Sequence, residues 1–205
     1  MTPPGLKTGP KPRFNEQDAI NAALSIGLET FTLAQVAKKL GVGTSSLYRV
    51  ISSRDDLVAD CLKYIAKESL LEDSDCMWDQ LFLQQVDLLW ELFERYPGLD
   101  HTLITMPTAT RYFQEFFEKF TGQLRRAGFP GDKKRMEFAI DFIFDTVVST
   151  HYQIVAVRRH YKEIEVEEER AFFLPEPSWI ERGWMDKKIH FILDGLGKGL
   201  DLTNS

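Results

Sequence analysis

The chain has 205 residues, 43% hydrophobic and 27% charged, with a formal net charge of −6. That balance fits a soluble globular protein with a sizeable core, and no apolar run nears the roughly 20 residues a bilayer-spanning helix needs. Cys61 and Cys76, without a CxxC pair or a Cys/His cluster, exclude a disulfide framework and a zinc set.

Residues 1–14, rich in Pro and Gly, predict a basic flexible arm. They contain no apolar signal core, which makes the cytoplasm the expected compartment. Asn15 and Asp18 predict a capping box for a first helix over Glu16 to Ile26, stopped near Gly27. Thr32 caps a second helix. Gly43 or Thr44 opens a third, and Ser52 or Ser53 caps a fourth that runs from Arg54 to about Leu71. A fifth helix is expected from about Cys76 to Tyr96, on apolar positions Trp78, Phe82, Val86, Leu89 and Phe93. An irregular piece with Pro107 follows, then an aromatic-faced helix over 109–127. From Lys133 to about Tyr161 the pattern is apolar on nearly every side, and such a helix must be covered on every side. Residues 162–181 read as a loop or marginal helix. A last helix is expected from about Met185 to Leu200. No strand is expected, so the fold class is all-α.

Within this order, TLAQVAKKLGVGTSSLYRVISSRDDL at 32–57 is the most informative stretch. Val36, Leu40, Val42, Leu47 and Val50 supply an inward face. Ala37 permits a close helix crossing, and Gly41 permits a turn at positive φ. The outward face of the following helix carries Thr44, Ser45, Ser46, Tyr48 and Arg49, the make-up of a helix lying in a DNA major groove. An ordinary helical hairpin is the bland alternative. Charge agrees with the first reading. Residues 1–60 hold Lys7, Lys11, Arg13, Lys38, Lys39, Arg49 and Arg54 against Glu16, Asp18, Glu29, Asp55, Asp56 and Asp60, a net of +1, which leaves −7 for the remainder. A locally positive head on an acidic body can still bind phosphates, because charges beyond a Debye length of about 8 Å are screened.

Phe31-Thr32-Leu33, Val36-Ala37, Leu40-Gly41-Val42, Leu47-Tyr48 and Arg54-Asp55-Asp56-Leu57 together resemble the TetR family of bacterial transcription regulators. Looser likeness at Tyr96-Pro97-Gly98-Leu99, Arg126-Ala127-Gly128-Phe129 and Ile192-Leu193-Asp194-Gly195-Leu196 is similar to the ligand-binding half of the branch that includes the tetracycline repressor. The resemblance implies an N-terminal helix-turn-helix DNA-binding domain (15–60) and a larger helical effector-binding and dimerisation domain (61–205). It also implies a homodimer through the last two long helices. Three features depart from the family. Val50 and Ile51 stand where a polar aromatic and its neighbour are usual. The first helix is about a turn short. Ala34 replaces a base-reading Arg, so the operator is expected to differ.

By reach, Thr32, Tyr48 and Arg54 are expected to contact phosphates. Thr44, Ser45, Ser46 and Arg49 are candidates for base edges, Arg49 as a bidentate guanine ligand or as a further phosphate contact. Lys11 and Arg13 either enter the minor groove or belong to a solvated tail. For an effector pocket, the candidate walls are Trp78, Trp90, Phe113, Phe116, Phe117 and Phe142, with His101, Thr105, Asp145 and His151 as polar fixings. Each aromatic taken singly is better explained as core. A metal held by His101 and His151 is a minor alternative. No cofactor motif, HExxH or GxSxG is present, so an enzyme is not expected. The expected function is a repressor released from operator DNA by an apolar or aromatic small molecule, with an activator or effector-independent regulator as the alternative.

Overall fold

The computed structural model describes residues 14–160 and 177–199, and among them there are helices and no strand. The helices are α1 (Glu16–Ile26), α2 (Leu33–Lys39), α3 (Thr44–Leu47), α4 (Arg54–Glu68), α5 (Trp78–Arg95), α6 (Leu99–Thr105), α7 (Gln114–Arg126), α8 (Lys133–His160) and α9 (Met185–Gly197). Among the described residues, two 3₁₀ turns, Ala109–Phe113 and Pro177–Ile180, complete the order.

Local chemistry sets the first four helices. At the start of α1, Asp18 N–H donates to Asn15 Oδ1 (3.0 Å) and Asn15 N–H donates to Asp18 Oδ2 (2.8 Å), a reciprocal cap. Thr32 and Gln35 repeat the arrangement at α2. Ser53, rather than Ser52, caps α4 by accepting from Asp56 N–H at 3.0 Å. Helix α2 ends in a Schellman turn, with Val42 N–H on Ala37 O (3.0 Å) and Gly41 N–H on Lys38 O (3.1 Å). Gly41 takes φ +67°, the conformation that a β-carbon resists. The turn packs α3 against α2, with Leu47, Val36 and Ala37 all buried in the shared core. Ile51, a departure from the family pattern, is 2% exposed and extends this core.

Helix α4 packs on α1 along one side and on the 109–113 turn and α7 along another. It therefore crosses the boundary placed at residue 60. Beyond it, α5, α7 and α8 enclose an aromatic core. Phe120 lies under 6 Å from Phe82, Phe116 and Phe144, edge-on to the first and stacked on the other two. Such pairs add about 0.5–1.5 kcal/mol beyond their area burial. Helices α8 and α9 lie against each other. Phe138, Phe142, Tyr152, Trp184 and Phe191 remain exposed in the single chain, Phe191 at 81%.

Several boundaries differ from the sequence expectation. Helix α4 stops at Glu68, where Ser69 turns its hydroxyl back onto Ile65 O, and α5 starts at Trp78. The 109–127 helix begins as a 3₁₀ turn and becomes α-helical at Gln114. Helix α6 was not expected at all. It is seven residues long, with only Leu99, Asp100 and Thr102 buried, too few for a periodic signal.

Candidate nucleic-acid interface and effector cavity

The α2–turn–α3 unit presents its polar residues outward. Thr32, Thr44, Ser45, Tyr48 and Arg49 are exposed and Ser46 is half-buried, while Leu47 between them is fully enclosed. Tyr48 is 56% exposed and no hydrogen bond to its hydroxyl is found among the described residues. Arg49 likewise forms no ion pair among the described residues. Lys38 and Lys39, exposed in the last turn of α2, add cations to the same unit that the sequence reading assigned no role. Lys11 and Arg13 lie outside the described residues.

Arg54 corrects one expectation. Its Nε donates to Phe31 O (3.0 Å) and its Nη2 to Leu28 O (3.1 Å) and Glu29 O (3.2 Å), with the guanidinium 4.8 Å from the Phe31 ring centroid. A planar fork with several donors suits three converging carbonyls. The charge is thereby committed to the α1–α2 loop, not turned outward to a phosphate.

That loop is also the seam with the body. Leu28 N–H donates to Pro97 O (2.9 Å), and His101 Nε2 stands 3.9 Å from Glu29 Oε1. Gly98, at φ +84°, lets the α5–α6 corner approach the Glu29 backbone: a β-carbon there would lie 2.7 Å from Glu29 N.

The candidate pocket residues do not form one site. A cavity of about 740 Å³ lies between α6, the 109–113 turn, α7 and α8. Phe113, Phe116, Phe117 and Asp145 line it, as expected, together with Phe93, Leu103, Ile104, Phe144 and Val148. The others lie elsewhere. Trp78 packs edge-on against Phe82 and Phe129 in the core. Trp90 sits between His151 and the Arg182 guanidinium. Phe142 points to the α8–α9 side with Phe138, because residues 142 and 144 fall on different faces of one helix. His101 and Thr105 face the seam beside Leu28, Glu29 and Arg54.

His151 is buried and lies outside the α6–α8 cavity; with His101, Phe93 and Glu94 it lines a smaller cavity of about 160 Å³ at the seam. The His151 Nδ1 lies 2.7 Å from Asp100 Oδ2, and its Nε2 lies 3.6 Å from Glu94 Oε1. An ionised carboxylate only accepts, so Nδ1 carries the hydrogen. Burial works against the Asp100 charge, but the bonds from His151 and from His101 N–H outweigh it and hold the carboxyl below its ordinary range. Glu94 is held low chiefly by Arg158, whose Nη2 stands 2.7 Å away. His151 Nδ1 is thus taken by Asp100, while its buried Nε2 makes no hydrogen bond among the described residues; no group of three or more His, Cys, Asp or Glu able to hold a metal occurs among them. Asp145 shows the opposite shift: burial and nearby Asp141 raise its carboxyl above the usual value.

No family model matches the chain, and no curated protein matches it. Solved structures do. The chain resembles a possible TetR family transcriptional regulator from Streptomyces coelicolor A3(2) with a TM-score of 0.66 and 16% identity, over 89% of this chain and 97% of that one. It resembles the Streptomyces coelicolor TetR family protein ActR in complex with (S)-DNPA with a TM-score of 0.64 and 17% identity, over 91% and 98%. It also resembles BioQ with its double-stranded DNA operator, with a TM-score of 0.59 and 14% identity, over 90% and 98%. The chain therefore has the all-helical fold of the TetR-family regulators. No helix among the described residues is long and apolar enough to cross a membrane.

Proposed function

We propose that this protein is a cytoplasmic, homodimeric DNA-binding transcriptional regulator, a repressor that leaves its operator when a small molecule fills the α6–α8 cavity. The observation that carries the reading is the α2–turn–α3 unit, with Leu47 sealed inside and Thr44, Ser45, Tyr48 and Arg49 turned out. In this reading residues 15–60 form the DNA-binding head and the rest the effector-binding and dimerisation body. Solved relatives of the same fold carry, separately, an operator and a small molecule, which supports both halves of the proposal. The exposed aromatics on α8 and α9 are the surface a second copy would cover.

Two-fold pairing would set two α3 helices about 34–36 Å apart, one turn of DNA. Thr44, Ser45, Ser46 and Arg49 would read bases, and Thr32 and Tyr48 would hold phosphates. An effector can move this balance only by its differential affinity for the two spacings. Two paths lead outward from the cavity: α6 to the Glu29 seam, and the 109–113 turn to α4.

The test is binding of the purified protein to DNA from upstream of its own coding region. Affinity should fall steeply between about 50 and 200 mM salt, and Tyr48→Ala should abolish binding with helical content unchanged. A Tyr48→Ala protein that binds as the parent does would sink the docking scheme. Sedimentation as a single subunit at micromolar concentration would sink the dimer.

A further inference from the structure

We infer that the α6–α8 cavity takes an amphiphilic organic cation, a flat or bulky apolar body carrying one positive charge. The inference rests on that cavity being the effector site and adds the chemical class of the occupant. Its walls are aromatic: Phe113, Phe116, Phe117 and Phe144 present rings to it. At about 740 Å³ it matches the room a drug-sized molecule needs.

The polar part of the lining has one sign. Glu118, Glu137, Asp141 and Asp145 reach it, against Lys133 alone. Lys133 is already used by Glu137, 3.4 Å away along the helix. Glu118 accepts from Gln114 Nε2 at 3.0 Å. Asp141 and Asp145, one turn apart on α8, have no cation at ion-pair distance among the described residues. Two like charges in this spacing repel, and the Asp145 carboxyl is raised first by burial and then by Asp141. A bound cation relieves the repulsion. The same cation is drawn to the ring faces, where the quadrupole is negative. An anionic ligand would have to settle beside four carboxylates, and a neutral one would leave the Asp141–Asp145 repulsion in place.

The experiment uses two probes of the same shape and opposite charge, tetraphenylphosphonium and tetraphenylborate, titrated into the full-length protein by calorimetry. The phosphonium should bind at least about tenfold tighter, equivalent to about 1.4 kcal/mol. The Asp141→Asn/Asp145→Asn double variant should lose most of that preference, and its melting temperature should hold or rise because a repulsion has been removed. Phe117→Ala should weaken the phosphonium in both backgrounds. Equal binding of the two probes, weakened alike by Phe117→Ala, would keep the cavity as a ligand site and overturn its charge class. Binding of neither would overturn the effector reading as well. A double variant that melts lower and falls apart into single subunits would also overturn the inference, because the carboxylates would then be serving a contact with a second copy.

Discussion

Gly98 and Gly128 have nearly the same backbone, φ +84° and φ +80°, and opposite surroundings. A β-carbon at Gly128 would meet nothing within 4 Å; one at Gly98 would stand 2.7 Å from Glu29 N and 2.8 Å from Glu29 Cβ. Gly128→Ala should therefore cost only the left-handed penalty of an L-residue, about 1–2 kcal/mol. Gly98→Ala carries the same penalty plus overpacking of about 1–3 kcal/mol, since a backbone nitrogen cannot swing aside as a flexible side chain can. In a chain of this size each kcal/mol lowers the melting temperature by roughly 2–4 °C. The expected losses are then about 2–8 °C for Gly128→Ala and about 4–20 °C for Gly98→Ala. Calorimetric melts of the two variants side by side supply the comparison. Hydrogen exchange adds a local readout: the Leu28 amide, bonded to Pro97 O at 2.9 Å, should lose protection in Gly98→Ala and keep it in Gly128→Ala. Equal melting losses, with Leu28 protected in both, would refute a tight seam between the α1–α2 loop and the α5–α6 corner.

The Asp100 carboxyl is held below its unfolded value, so it stabilises the fold above about pH 4, and that contribution fades as pH falls through the depressed folded value. Asp100→Asn should flatten the acid side of a stability–pH curve, and an unchanged slope would show that the His151 bond is not felt. His151→Leu strands the same carboxylate in a buried place and should cost about 3–5 kcal/mol in chemical denaturation. The Cys61 thiol, pushed up to about 12 by burial and by Asp60, should resist a thiol reagent at neutral pH in the native protein. Cys76, half-buried, should react, so one equivalent should titrate before unfolding and two after it.

What the residues announced beforehand was local. Asn15, Thr32 and Ser53 cap helices because a short polar side chain followed three residues later by Asp or Gln has few other uses. Gly41 marked its turn for the same kind of reason. The outward set on α3 followed from its alternation with Leu47. Pocket membership was harder, because an aromatic on a helix reads alike in a core and at a cavity wall. Phe116, Phe117 and Trp78 carry no sequence mark that separates them; only the depth of the neighbouring helix does. Asp100 and Glu94, which fix His151, lie 51 and 57 positions away in the chain, beyond any pattern of spacing. The arginine at 54 misled because a cation at a helix start looks the same whether it faces phosphate or three carbonyls.

The Arg54 fork has a practical corollary for grafting. Anyone exchanging recognition elements between proteins of this architecture would naturally cut at the turn before α3 and at the residue after Ile51. That splice leaves the fork whole, because the guanidinium and the Leu28, Glu29 and Phe31 carbonyls it holds all stay with the host; a single crossover anywhere between Phe31 and Arg54 would part them. A cassette that runs from Gly27 through Arg54 also moves lock and key together, and chimeras built on either pair of limits should outlast ones with one junction between Phe31 and Arg54.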